Sequence, residues 1–263
     1  MKKFYFTDTI TPVLVTSIHD GHYMRDELLE LTALSTDERM REEDPYTGYL
    51  AEVSENRASS SVSRFEVDLN RLRSGAIYRK PEDAWGLNLW KGELTDELSD
   101  KSLEFYDEFY GKLKEHLQKM VQAYGKVVVL DLHTYNHRRN GPYAEAADPK
   151  ANPEINIGDA HNSPAFKELL GNYVTFLSQQ EVNGKHPEVG QNVKFDGGGM
   201  SVWINENFPE EVCTISVEFK KTFMDEWTGV ADVNHLNSLR DLVKNSIEYL
   251  EYELKILRKE QES

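Results

Sequence analysis

Lys126–Arg139, KVVVLDLHTYNHRR, is the stretch around which the other 263-residue features fall into place. From Val127 to Leu132 only Asp131 interrupts an apolar run, which predicts a strand buried on both faces of a parallel or mixed sheet. The run ends on His133. An open α/β sheet binds its ligands beyond the carboxyl ends of its strands, so a rigid strand would deliver this imidazole to the ligand crevice. Just upstream, Thr95–Tyr124 predicts a long amphipathic helix whose buried stripe is Leu103, Tyr106, Tyr110, Leu113, Leu117, Met120, Val121 and Tyr124. Gly125 stands where that helix should end. Helix, glycine and buried strand in this order are the second half of a βαβ crossover.

Working outward, Pro12–Ile18 (PVLVTSI) predicts a short strand that runs into His19-Asp20-Gly21-His22, with a helix over Met24–Leu34. Glu38–Leu50 reads as a polar connection broken by Pro45 and Gly48, with Glu42-Glu43-Asp44 just ahead of the proline. Val62–Leu69 alternates polar and apolar residues in the manner of a strand and leads into Asn70-Arg71. Residues 74–92 and 136–153, rich in glycine and proline, read as long surface loops. Glu154–Gly158 and Glu211–Phe219 predict further strands, and Phe195–Gly199 a flexible loop. Helices are expected from Ser163, with Pro164 at the first helical position, to Gln179, and from Val233 to Leu257. With no repeat and no linker, residues 1–263 are expected to form one α/β domain.

Composition narrows the function classes. A net charge of −16 argues against nucleic acid or an anionic membrane as partner, although local arginines can still receive a small anion. No run approaches the roughly 18 apolar residues of a membrane span, and the N-terminal MKKFYFTDTITP lacks the apolar core of a secretory signal. The single cysteine, Cys213, excludes an internal disulfide framework and fits a cytoplasmic location.

Four predicted strand ends carry polar side chains that a sheet face does not call for: His19, the Arg64…Asn70-Arg71 set, His133 and Glu218. Histidine and carboxylate ligands around an open position make a catalytic zinc site. His19 and His133 are two candidate ligands, with Asp44 or a neighbouring glutamate as the third. Glu218 is the candidate general base toward a water whose pKa the metal lowers. Arg64 and Arg71 offer forked donors for a substrate carboxylate or a developing oxyanion, and Asn70 adds an amide. Asp131 lies two residues before His133 on the same strand face and can orient it; His161 is a reserve ligand. Each residue alone also fits an ordinary role: a turn histidine, a solvated acidic loop, or a surface ion pair between Glu218 and Lys220-Lys221.

The ordered set resembles the N-formylglutamate amidohydrolase family, which groups with the zinc carboxypeptidases and aspartoacylases. Thr16–Gly21 (TSIHDG), Glu42–Leu50, Ser63–Arg71 (SRFEVDLNR), Leu130–Thr134 (LDLHT), Asn192–Gly198 (NVKFDGG) and Val217–Gly229 carry the likeness, in order, across residues 16 to 229. Departures are Ile18 where the family has proline, Thr134 where it has serine, and His22 where the wider group places its glutamate ligand. The resemblance implies an α/β, three-layer αβα fold of phosphorylase/hydrolase-like, zinc-exopeptidase type with a mixed central sheet. It implies one Zn2+ held by His19, an acid near Asp44 and His133, with Glu218 and Arg64 catalytic and Asn70 and Arg71 binding substrate. The implied reaction is hydrolysis of the amide of a small anionic N-acyl amino acid, N-formylglutamate in the type case. The competing expectations are a carboxypeptidase-like or other deacylase, and a metal-free binding protein of the same fold.

Overall fold

The computed structural model describes residues 3–262, so Met1 and Lys2 of the N-terminal stretch lie outside it. In chain order the elements are β1 (Phe4–Phe6), β2 (Val13–Ser17), α1 (Asp26–Leu31), α2 (Thr36–Glu42), α3 (Thr47–Ala51), β3 (Arg57–Ser60) and α4 (Asp96–Tyr124). They continue with β4 (Val127–Tyr135), β5 (Ile155–Gly158), α5 (Lys167–Gln179), β6 (Val189–Gln191), α6 (Gly199–Asn207), β7 (Val212–Lys220) and α7 (Val233–Glu262).

The strands form one seven-stranded sheet in the order β1-β3-β2-β4-β7-β5-β6. β3, β2, β4 and β7 run parallel at its centre; β1 pairs antiparallel to β3, and β5 antiparallel to β7. The sheet is therefore mixed, and helices cover both of its faces. Side chains alternate along β4, as the two-residue period of a strand requires. Val128, Leu130 and Leu132 pack with residues of α3, α5 and α7, whereas Val127 and Val129 pack with those of α4 and α6. All nine residues of β4 are buried, and all nine of β7 beside it. Leu130 has no exposed surface, and its truncation to alanine should cost about 2–5 kcal/mol.

α4 begins where Thr95 accepts a hydrogen bond from the Leu98 amide and ends at Gly125, whose φ of +71° is left-handed. α5 follows a short 3-10 turn over Pro164–Phe166, capped by Ser163 as its sequence suggests.

Three local expectations are corrected. Glu38–Leu50 is not an irregular polar connection but α2, a turn and α3. Ser35 and Glu38 close a reciprocal capping box that starts α2. Val62–Leu69 is not a strand. Ser63 draws the backbone into a turn, its carbonyl accepting from Glu66 N and its hydroxyl from Phe65 N, so the chain leaves the sheet after β3. The helix expected over Met24–Leu34 is confined to α1.

Candidate active site

The face of the sheet beneath α4 and α6 changes character along the strands. On β2, β4 and β7 it begins with Leu14, Val127, Val129 and Val212, and then continues with Thr16, Asp131, His133, Ser216 and Glu218. Parallel register sets Thr16 beside Asp131 and His133 beside Glu218. His19 follows two residues after β2. The carboxyl ends of three adjacent strands thus deliver one polar cluster, buried although it is polar.

Asp44 closes the cluster from the turn between α2 and α3. Its amide donates to the His19 carbonyl at 3.0 Å, and its Oδ2 lies 3.2 Å from His19 Nδ1 and 2.9 Å from His133 Nδ1. The other nitrogen of each ring is held by a second carboxylate: His19 Nε2 by Asp68 at 2.7 Å and His133 Nε2 by Asp131 at 2.8 Å. Thr16 Oγ1 donates to the remaining oxygen of Asp131 at 2.5 Å. Asp68 also accepts from Arg64 Nη2 at 3.0 Å, Asn70 N at 2.7 Å and the Tyr78 hydroxyl.

One donor atom from each of His19, Asp44 and His133 lies within 4.8 Å of the other two. Two ligands on a tetrahedral zinc ion with bonds of about 2.05 Å stand roughly 3.3 Å apart. The Nδ1–Oδ2 separations approach that spacing. With both Nε2–H groups donated to Asp68 and Asp131, both Nδ1 lone pairs face the shared centre, the outer-shell arrangement that orients histidine ligands. The trio therefore fits a divalent metal ion in donor type, spacing and orientation.

Electrostatics follow burial and contacts. Burial alone would raise the Asp44 carboxyl, but the His133 and His19 rings outweigh it and hold Asp44 well below the usual carboxylate range. Burial lifts Glu218 to about 7, with Asp44 and Asp131 adding to the rise and His133 and Arg64 opposing it. No hydrogen bond or ion pair joins the Glu218 carboxylate to another of the described residues. Lys221, fully inside the protein, is pushed down to about 8 by burial. Its Nζ donates to the carbonyls of Arg41 and Glu43 at 2.6 and 2.8 Å and so fixes the acidic segment that carries Asp44.

The cluster forms the floor of a cavity of about 600 Å³. Residues 74–92 contribute Tyr78 and Trp85 to its wall, and residues 136–153 contribute Asn136 and Arg139. Arg64 lies over the Trp85 indole at 4.7 Å, 3.9 Å from Asp44 Oδ1. Arg71 is half exposed, with its Nε 4.0 Å from Asp68. Asn70 Nδ2 is 3.4 Å from His133 Nε2, while Asn70 Oδ1 accepts from the Met200 amide. This seat requires glycine at 198, where a Cβ would fall 2.1 Å from Asn70 Oδ1, and at 199, where it would fall 2.4 Å from the Arg71 backbone.

The model of the N-formylglutamate amidohydrolase family matches residues 11–224. The chain belongs to the N-formylglutamate amidohydrolase family. Membership places it among hydrolases of amide bonds. Its fold is similar to that of N-formylglutamate amidohydrolase from Ralstonia eutropha JMP134, with a TM-score of 0.73 and 16% identity over 98% of this chain and 99% of that one. A gene product of Agrobacterium tumefaciens is similar at a TM-score of 0.61 and 18% identity, covering 91% of this chain and 92% of the other. At such identities the likeness is one of fold. No protein of curated function matches the chain.

All seven candidate residues of this amidohydrolase line the one cavity: His19, Asp44, Arg64, Asn70, Arg71, His133 and Glu218. The surface-pair reading of Glu218 with Lys220-Lys221 does not hold. Lys220 Nζ bonds to the Asn152 carbonyl, Lys221 serves the acidic segment, and all three residues are buried. His161 does not line the cavity. Asp68, Tyr78, Trp85, Arg139 and Lys221 were not singled out by sequence as site residues. Only Asp68 carried a signal, being two residues before Asn70 in the motif-like SRFEVDLNR and four after Arg64. The rest come from loops or from positions that look like surface.

Proposed function

We propose that this amidohydrolase is zinc-dependent and hydrolyses the amide of a small N-acyl amino acid of the N-formylglutamate type. The observation that carries the reading is the convergence of His19 Nδ1, Asp44 Oδ2 and His133 Nδ1, with Asp68 and Asp131 fixing the two rings from behind. These three residues would hold the ion. When bound, zinc supplies Lewis acidity to a carbonyl oxygen and lowers the pKa of water toward neutrality.

The chain's own residues account for the rest. Glu218 stands beside His133 with no partner for its carboxylate among the described residues and is lifted by burial, so it can take a proton from the attacking water and hand it to the leaving amine. Arg64, its guanidinium fixed by Asp68 and resting on Trp85, is a preorganised cation for charge that develops on the scissile carbonyl oxygen. Asn70 and Arg71, at the rim, bind the α-carboxylate of the substrate. The glycines at 198 and 199 let α6 begin against that pair.

Metal content and a substrate panel test this. Protein supplied with zinc should hold one ion per chain and cleave N-formylglutamate faster than a dipeptide, and His133→Ala should lose the ion. Unchanged zinc content in H133A, or no cleavage of any N-acyl amino acid by the zinc-loaded wild type, would refute it.

A further inference from the structure

Arg64 and Arg71 do not exhaust the cations of the cavity. Six residues beyond His133, Arg139 meets buried Glu42 end-on, with Nη1 3.3 Å from Oε1 and Nη2 2.9 Å from Oε2. Its guanidinium also lies over the Trp85 indole at 5.5 Å. Trp85 is held at φ +55°, a left-handed conformation uncommon outside glycine and concentrated at functional sites. The side chain is thus anchored from one end and one face, yet it remains 44% exposed at the cavity wall.

Two features leave Arg139 able to take an anion. An end-on pair uses two of five N–H groups, so the side edge, Nε with the neighbouring Nη, is a second complete fork. No other partner for that edge is found among the described residues. Glu42 is also shared, because Arg41 Nε lies 3.4 Å from its Oε1. Two guanidinium groups against one carboxylate leave the cluster with a surplus positive charge. Lys194, on the facing loop, is close enough to feel Arg139 and stands 5.8 Å from the Tyr135 ring, adding to the positive potential there.

We propose that Arg139 is a specificity-determining residue that reads a second carboxylate, carried on the side chain of the N-acyl amino acid, through its unused side edge. This rests on the reading of the cavity as an N-acyl amino acid site. The division of labour is then clear: Asn70-Arg71 take the α-carboxylate and Arg139, on a different loop, takes the distal one. Glu42 couples the two ends of the site, since it anchors Arg139 and lies two residues before Asp44.

The test compares N-formylglutamate with N-formylglutamine on zinc-supplied wild type, Arg139→Gln and Arg139→Lys. Glutarate, a dicarboxylate with no amide to cleave, serves as a calorimetric probe of binding. For R139Q, KM for N-formylglutamate should rise roughly 10- to 100-fold with kcat little changed, as expected for one lost charge-assisted fork. KM for N-formylglutamine should move less than about threefold, and glutarate should bind correspondingly less tightly. R139K, which keeps the charge without the fork, should fall between and also serves if the glutamine variant folds poorly. Equal losses on both substrates, or a wild type indifferent to the side-chain carboxylate, would overturn the proposal while leaving the amidohydrolase reading intact. If the wild type cleaves neither substrate, that reading fails, and the glutarate comparison still decides the role of Arg139: equal affinity in wild type and R139Q overturns it.

Discussion

Asp68→Asn is the most informative single change, because the two oxygens of this fully buried carboxylate serve different partners. Oδ1 accepts from His19 Nε2 and from Asn70 N, both at 2.7 Å; Oδ2 accepts from Arg64 Nη2 at 3.0 Å and from the Tyr78 hydroxyl. An asparagine that keeps its oxygen at the first position preserves the bonds to His19 and Asn70. Its amide nitrogen then faces Arg64 donor to donor, while Tyr78 can turn to accept. The Arg64 side chain is 12% exposed, so most of its charge has left water. Removing one partner of a buried pair costs about 3–5 kcal/mol, and contacts of Arg64 with Trp85 and the Glu42 carbonyl place this case near about 3 kcal/mol. Zinc affinity should fall separately, by roughly 10-fold, the low end for losing a carboxylate behind a histidine ligand, because the bond survives but its charge does not. Urea unfolding and chelator competition measure the two effects independently. In the double variant Asp68→Asn, Arg64→Met the clash is gone, so most stability should return while zinc affinity stays weakened. Wild-type zinc affinity in D68N, or a double variant as unstable as the single one, would refute the division of Asp68 between His19 and Arg64.

Glu218→Gln should retain zinc and lose kcat by roughly 10²–10⁴-fold, the usual contribution of a positioned general base; retention of more than a tenth of kcat would remove Glu218 from that role. Gly198→Ala should raise KM and destabilise by about 1–3 kcal/mol because its Cβ meets the Asn70 side chain, whereas Gly92→Ala, with open space around it, should do neither. The third concerns His116, which burial pushes down to about 4 and whose Nε2 lies 2.7 Å from Asn56 Oδ1. Below its ordinary value of 6.5 the unfolded chain takes up a proton that the folded chain refuses. Its contribution is therefore full above pH 6.5 and declines as pH falls toward 4. Urea titrations at pH 7 and 5 should show a smaller loss in His116→Gln than in wild type, and equal losses would exclude His116 as the source.

The central strand and its helix were legible because their signals are periodic and long. Val127–Leu132 are buried in the strand their pattern predicts, and of the α4 stripe Tyr106, Tyr110, Leu113, Leu117 and Met120 are buried while Leu103, Val121 and Tyr124 are partly so, with Phe105 and Phe109 completing the buried face. The seven candidate residues also come together on one cavity, His19, His133 and Glu218 from strand ends as their positions suggest, but Arg64, Asn70 and Arg71 from a turn rather than from the end of a strand. What escaped was the environment of each. Glu42, Glu43 and Asp44 read as solvated because three acids in a row normally are. They are buried because His19 and His22, just after β2, and His133 and Arg139, at the end of β4 and in the loop beyond it, converge on them from two distant segments. Val62–Leu69 alternates as a strand does, but a serine turn diverts it, and the same turn brings Arg64 within reach of Asp68. The short strands β1, β3 and β6, of three or four residues each, carry too little pattern to be seen without the sheet they join.

Charge supplies an argument for a divalent ion independent of ligand spacing. Four buried carboxylates surround the two imidazoles: Asp44, Asp68, Asp131 and Glu218. Two cations, the largely buried Arg64 and the buried Lys221, belong to the same cluster. With neutral imidazoles the cluster carries a formal surplus of two negative charges in a space where unpaired charge is costly. Protonated imidazoles can relieve it, and Asp131 and Asp44 do hold His133 well above its usual value against the opposing effect of burial. That remedy, however, occupies the Nδ1 atoms that face each other across Asp44 and leaves the strand ends chemically inert. A dication held by His19, Asp44 and His133 would relieve the same surplus with both rings neutral. Their outer nitrogens would then remain donors to Asp68 and Asp131, and those carboxylates would retain the partners that the geometry already gives them. With such an ion in place, the buried aspartates behind the histidines would have a reason to be charged, to be buried, and to lie on the far side of each ring.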